Sequence, residues 1–242
     1  MNTKEVCNTM DLSDNHINLR ARIFAAPASL KNNSKLLTLN SSLKRSIDLF
    51  ISLCALIILS PLMLFVAQRI RLEMGSPVLF SQWRPGLRGK PFKMYKFRSM
   101  SEACDENGVL LPDEQRLTPL GAFLRRSSID ELPELINIIK GQMSLVGPRP
   151  LLMRYLPRYN SIQARRHEVK PGLTGLAQVS GRNAISWQEK LALDVCYVDN
   201  HSIWLDLKIL LLTAHRVVTK QGINSDSHAT MEEFMGSGEN HS

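Results

Sequence analysis

Hydrophobic and polar positions divide the chain into distinct regimes. Residues 1–40 are polar, rich in Asn and Ser, and lack a sustained apolar period. They predict a flexible N-terminal extension with a short helix near 17–24, and no apolar core follows a basic start as a signal peptide needs. From 47 to 70 runs IDLFISLCALIILSPLMLFVAQRI, with no charge between Asp48 and Arg69. As one helix it is roughly 36 Å long, enough for a hydrocarbon core of about 30 Å. Ser60-Pro61 lies in its middle, where proline removes a backbone donor, and basic residues flank both ends (Lys44 and Arg45; Arg69 and Arg71). A basic flank belongs on the cytoplasmic side, and here both qualify. Local features leave two readings open: a kinked span, or a re-entrant helix broken at Ser60-Pro61, with the Ser60 hydroxyl satisfying a freed carbonyl.

Residues 81–100, SQWRPGLRGKPFKMYKFRSM, carry Arg84, Arg88, Lys90, Lys93, Lys96 and Arg98 with no acid between them, interleaved with Trp83, Phe92, Tyr95 and Phe97. Alternation from Phe92 predicts a strand leaving a turn. The run suits anionic headgroups, a diphosphate or a single-stranded nucleic acid, or is a solvated basic face. Residues 101–116 read as an acidic surface loop.

Residues 117–150, LTPLGAFLRRSSIDELPELINIIKGQMSLVGPRP, hold the densest pattern. Ile129, Leu132, Ile136 and Ile139 recur at helical spacing and Leu135 widens the stripe, predicting a helix over about 130–140. Ser127 or Ser128 is its expected cap, and Gly141 its expected stop. Asp130 and Glu131 then sit at a helix N-terminus, where the macrodipole favours carboxylates and free amides favour bound anions. Neighbouring positions point in different directions, so one carboxylate can attack as a nucleophile while the other holds a divalent cation. Acids at helix starts are also ordinary stabilisers, and spacing does not separate the two. Downstream, Pro148-Arg149-Pro150 stiffens a loop around one guanidinium, a clamp for phosphate or carboxylate, and Arg125 and Arg126 add positive charge. Residues 169–187 carry Arg182 and read as a hairpin-like loop before a helix from Ser186. Leu191, Val195 and Val198 continue its apolar face, a last apolar helix runs from 203 to about 218, and a polar tail follows.

Of 242 residues, 44% are hydrophobic and 21% charged, which excludes a disordered polymer and a polytopic membrane protein. Thirty Lys and Arg against 22 Asp and Glu give a net charge of +8, which suits an anionic partner. Cys7, Cys54, Cys104 and Cys196 lie far apart without C-x-x-C spacing, so neither a disulfide framework nor a zinc site is expected.

In order, KRSIDLF, Ser60-Pro61, RPGLRGKPFKMYKFRSM, SSIDELPELINIIKGQMSLVGPRP, KPGLTGLAQVSGRNAISW and LDVCYV resemble the bacterial sugar transferases that are small monotopic phosphoglycosyl transferases, most of all those acting on UDP-N,N'-diacetylbacillosamine. The resemblance covers about residues 44–235. It implies an α+β, mainly helical fold. A flexible extension (1–40) is followed by a re-entrant membrane helix (41–72), a small cytosolic catalytic domain with a short β-hairpin (73–220), and a polar tail (221–242). It implies transfer of sugar-1-phosphate from a UDP-(di)N-acetylamino sugar to undecaprenyl phosphate, giving undecaprenyl-diphosphate-sugar and UMP. The enzyme would sit at the cytoplasmic face of a bacterial inner membrane and serve downstream glycosyltransferases, with no nucleic-acid partner. Asp130 would be the nucleophile of a ping-pong mechanism, Glu131 the ligand of Mg²⁺ (or Mn²⁺), and Arg149 a phosphate holder. Lys96 and Arg182 would contact substrate, and Arg125 would pair with Asp194. Two alternatives remain: direct transfer in a ternary complex with Asp130 as metal ligand or base, and a membrane-tethered module that binds an anionic ligand.

Overall fold

The computed structural model describes residues 34–181, 185–219 and 233–236. Most of the expected N-terminal extension, with its short helix near 17–24, lies outside them. Helix α1 spans Ser34–Met74 and crosses Pro61 without interruption. Its stretch Ser41–Met74 is long and apolar enough to cross a membrane, with a mean hydropathy of 2.7 and only 11% of the most apolar window buried. Pro61 has no N–H for the carbonyl of Ile57, four residues back, and the Ser60 hydroxyl donates to that carbonyl instead, at 2.8 Å. The freed carbonyl is thus satisfied as expected, although α1 remains helical on both sides of the proline.

After α1, strands β1 (Leu79–Pro85) and β2 (Pro91–Phe97) form the expected antiparallel hairpin. A one-turn helix α2 (Asp113–Arg116) interrupts the acidic loop, and α3 covers Pro119–Arg126. The helix expected over 130–140 is shorter. A 3₁₀ turn (Ile129–Glu131) precedes α4 (Glu134–Ile139). Neither serine caps it. Ser127 closes the C-terminus of α3, and Ser128 takes a left-handed conformation (φ 57°) that separates the two elements. Gly141, at φ 78°, stops α4 as expected.

Strand β3 (Ser144–Val146) then pairs in parallel with β4 (Gly172–Thr174), so the hairpin-like reading of 169–187 does not hold. The connection between them, with the short α5 (Ser161–Ala164), is long enough for a crossover. Helix α6 (Leu176–Ser180) follows, then α7 (Trp187–Asn200) with a Ser186/Glu189 capping box, and α8 (Ile203–Thr219). Mainly helical α+β architecture with a small hairpin is what the sequence predicts.

The main core joins Phe92 and Met94 of β2, Leu135 and Ile138 of α4, Leu145 and Val146 of β3, and Leu176, Tyr197 and Ile209 of α6, α7 and α8. Two stretches of α1 pack on this body. In the first, Lys44 bonds Asp206 (2.6 Å) and the Val146 carbonyl, Arg45 donates to the Ile138 and Ile139 carbonyls at the C-terminus of α4, and buried Asp48 accepts from Ser144 (2.7 Å) and the Leu145 amide. In the second, Val66 and Ile70 cluster with Phe97 and Leu124. The expected polar tail is not wholly a tail. Phe234 is buried against Tyr155, Tyr159 and Trp187, and Glu233 pairs with Arg154 (3.1 Å) and Arg158 (2.8 Å). Cys54 and Cys104 carry free thiols.

Candidate active site

Asp130 and Glu131 lie on the 3₁₀ turn between α3 and α4, not at the start of one long helix. Thr118 fixes the entry to α3 by accepting from the Gly121 amide (3.0 Å), and α3 delivers the chain to the turn. Asp130 is buried and lies 3.8 Å from the Lys96 ammonium of β2. Burial raises its pKa, while Lys96 pulls the other way. Glu131 accepts from Lys96 (2.8 Å) and from both terminal nitrogens of Arg149. Burial opposes its ionisation, but Arg149 and Lys96 outweigh it and hold the carboxyl at about 2. Neighbouring carboxylates therefore have different environments, one anchored as an anion and one less readily ionised.

A third acid, missed in the sequence, completes the group. Glu134, in the first turn of α4, is fully buried, 3.5 Å from Lys96 and 4.0 Å from Arg149, and its oxygens have no closer polar partner among the described residues. Burial, with Arg149 pulling the other way, pushes it up to about 7. Its spacing of four from Asp130 is legible in the sequence. Its burial is not, because the apolar stripe runs across it.

Arg149 sits on a loop held from several sides. The Gly147 amide bonds the Thr174 carbonyl (2.9 Å), the Gly172 amide bonds the Pro148 carbonyl (3.0 Å), and Arg166 donates to the Arg149 carbonyl (2.7 Å). Arg166 is in turn held by Asp194 of α7, at 3.0 and 2.7 Å, both residues being buried. Asp194 therefore pairs with Arg166 and not, as expected, with Arg125. Arg125 donates to the Ser99 hydroxyl (2.9 Å) and acts on Asp130 only through its field. Asp194 shapes the site from behind, through Arg166 and the backbone of Arg149. A lone acid amid the apolar positions of α7 is the signal that a buried cation has to meet it. Arg182 lies outside the described residues.

The structure thus brings Lys96, Asp130, Glu131 and Arg149 together, leaves Arg125 at the edge, and sets Asp194 one layer behind. Among the described residues no three His, Cys, Asp or Glu side chains form a metal cage. The all-carboxylate donor set does fit magnesium, which takes one or two carboxylates together with substrate phosphate oxygens and water.

The family model for bacterial sugar transferases matches residues 39–220. The uncharacterized sugar transferase EpsL of Bacillus subtilis is 58% identical over 197 residues, which cover 81% of this chain and 98% of that protein. The UDP-glucose:undecaprenyl-phosphate glucose-1-phosphate transferase of Klebsiella pneumoniae is 39% identical, covering 76% of this chain and 42% of that protein. The undecaprenyl-phosphate galactose phosphotransferase of Salmonella typhimurium is also 39% identical, covering 74% and 41%. The chain spans less than half the length of these last two. With a match over most of its own length and a relative alike almost from end to end, the chain belongs to the bacterial sugar transferase family.

Proposed function

We propose that this protein transfers sugar-1-phosphate from a UDP-sugar to undecaprenyl phosphate, releasing UMP, through a covalent phospho-sugar on Asp130. The observation that carries the reading is the buried Asp130 carboxylate 3.8 Å from Lys96, beside a Glu131 already neutralised by Lys96 and Arg149. The relatives from Klebsiella and Salmonella, named for glucose-1-phosphate and galactose phosphate transfer to the same lipid, support the reaction class. In the first step an Asp130 oxygen bonds to the β-phosphorus and the bond to the bridging oxygen breaks, so UMP leaves with the electron pair. In the second, an oxygen of undecaprenyl phosphate attacks the same phosphorus and frees Asp130. Lys96 and Arg149 hold the growing negative charge where it develops. Magnesium or manganese, when bound, would supply positive charge that offsets the charge of the substrate phosphates, and Glu131 is the residue that would hold it. The donor sugar we propose is an acetamido or diacetamido sugar, on the strength of the motif likeness.

For the anchor we propose a re-entrant placement at the cytoplasmic face. Lys44, Arg45 and Asp48 in the first half of α1, and Val66 and Ile70 in the second, touch the same catalytic body; between them Ala55 and Leu56 also pack on it, while Ile57, Ile58, Leu64 and Phe65 are exposed. Both halves on one body suit entry and return on one side. Cysteines placed at Ser41 and Leu72 should then react with an impermeant reagent from the same side. Reaction from opposite sides would mean a span.

Intact-protein mass after incubation with Mg²⁺ and a panel of UDP-sugars, without lipid, tests the chemistry. A gain of one sugar-phosphate, absent in Asp130→Asn, is expected and names the sugar. No adduct, but UMP release once polyprenyl phosphate is added, would replace the covalent route with direct transfer.

A further inference from the structure

Arg84, the penultimate residue of β1, is a cation without a counter-ion. Among the described residues no carboxylate lies within ion-pair distance of it, its one hydrogen bond goes to the neutral side chain of Gln82 (2.7 Å), and its Nε is buried without a partner. Burial and the nearby charge of Arg149 depress its pKa to about 10, with Glu134, Tyr155 and Tyr159 offsetting this only in part. Leaving a largely buried charge uncompensated is costly, and two guanidiniums that repel one another add to the cost. Arg149 does not share the deficit, because Glu131 neutralises it.

His167 hydrogen-bonds the backbone of Gly86 at the hairpin turn, two residues from Arg84, and its Nε2 is also buried without a partner. Tyr159 lies 5.7 Å from that ring and receives a hydrogen bond from Arg166 (3.2 Å). One unsatisfied guanidinium N–H and a neutral imidazole, whose free Nε2 can only accept, thus lie around the end of β1. A guanidinium fork with an unused Nε matches the paired oxygens of a phosphate or a carboxylate, and the substrates of the proposed reaction carry phosphates.

We infer that Arg84 is a second phosphate-binding cation, which with Arg149 grips a substrate phosphate between two guanidiniums. The inference rests on the proposed transfer reaction, in which two phosphates flank the one that moves: the phosphate of the UMP half and that of the polyprenyl acceptor. Either supplies the anion that Arg84 lacks. Because the ligand and not the protein balances this charge, Arg84 should weaken the free protein and strengthen the complex.

The test uses the full chain in lipid nanodiscs, with Arg84→Gln and Arg84→Lys. Three quantities are read: the thermal midpoint with and without UMP or inorganic phosphate, the KM for UDP-sugar in adduct formation, and the KM for polyprenyl phosphate in complete turnover. Arg84→Gln should match or exceed the parent in ligand-free midpoint, and should raise one of the two KM values about tenfold, with Arg84→Lys between them. A rise in the UDP-sugar KM with a lost UMP response assigns Arg84 to the donor, and a rise confined to the lipid KM assigns it to the acceptor. If both KM values and the ligand-induced shifts stay within about twofold, or if the midpoint drops with KM unchanged, Arg84 is a structural cation and the inference is overturned. Failure of the parent itself to form adduct or UMP would count against the transfer reaction, and the phosphate-induced shift still reads Arg84 in that case.

Discussion

Asp194→Ala tests the layer behind the site. Asp194 and Arg166 are each about 2% exposed, and both guanidinium contacts, at 3.0 and 2.7 Å, fall on one carboxylate oxygen. Removing the acid leaves Arg166 charged and buried, held only by the Tyr159 hydroxyl and the Arg149 carbonyl. Breaking one side of a buried pair costs about 3–5 kcal/mol, more than its net worth, because the surviving charge is stranded. For a body of this size that lowers the thermal midpoint by roughly 6–20 °C. The assay is scanning fluorimetry of the nanodisc-held protein, followed by a double-mutant cycle. Arg166→Met on the Asp194→Ala background should restore much of the loss, with a coupling of about 2 kcal/mol, whereas Asp194 and Arg125 should couple below about 0.5 kcal/mol. A fall of less than about 2 °C for Asp194→Ala, or coupling to Arg125 instead, would refute the assignment of this pair.

Phe234→Ala should cost about 3–5 kcal/mol, because its ring fills the space among Tyr155, Tyr159 and Trp187; an unchanged midpoint would mean that this segment does not dock in solution. Gly121→Ala should abolish stable expression or cost at least ~3 kcal/mol, since a Cβ there overlaps the Ser99 carbonyl, and fluorescence size-exclusion chromatography reads the outcome. His167 is pushed down to about 4, chiefly by burial and then by Arg166, so it stays neutral in the folded chain when the unfolded chain binds a proton. Its contribution is complete above about pH 6.5 and is lost as pH falls toward 4, so His167→Gln should flatten the midpoint-versus-pH curve in that window; parallel curves would sink the argument.

Elements with a strong period or a cap can be read from the chain. The apolar run of α1, the strand from Phe92, the stop at Gly141 and the capping box at Ser186 are local facts, and local physics decides them. The Lys96, Asp130, Glu131 and Arg149 group is also legible, through family motifs more than through spacing. Long-range pairings are not. Nothing near Asp194 names Arg166, twenty-eight positions away, over Arg125. Gly172 carries no sign that β4 runs parallel to β3 instead of folding back as a hairpin. Glu134 follows Pro133, and a charged residue beside a proline reads as surface until two cations from distant segments, Lys96 and Arg149, close over it. Phe234, alone in a polar stretch, likewise shows its role only beside the three aromatic residues it meets.

The bond from Lys44 to Asp206 joins residues 162 positions apart. At synthesis rates of ~5–20 residues per second, Lys44 leaves the ribosome about 8–30 s before its partner. Until Ile138, 93 positions past Arg45, has been made, the stretch of α1 that carries Lys44, Arg45 and Asp48 has none of these partners, and only water or lipid headgroups can solvate them. The apolar stretch that follows needs shelter at once. Assembly is therefore ordered by the chain itself. The helix is made first, and α4, β3 and α8 follow with the groups that meet its charges, so the contacts between anchor and catalytic body can close only from the later segments onto the earlier one.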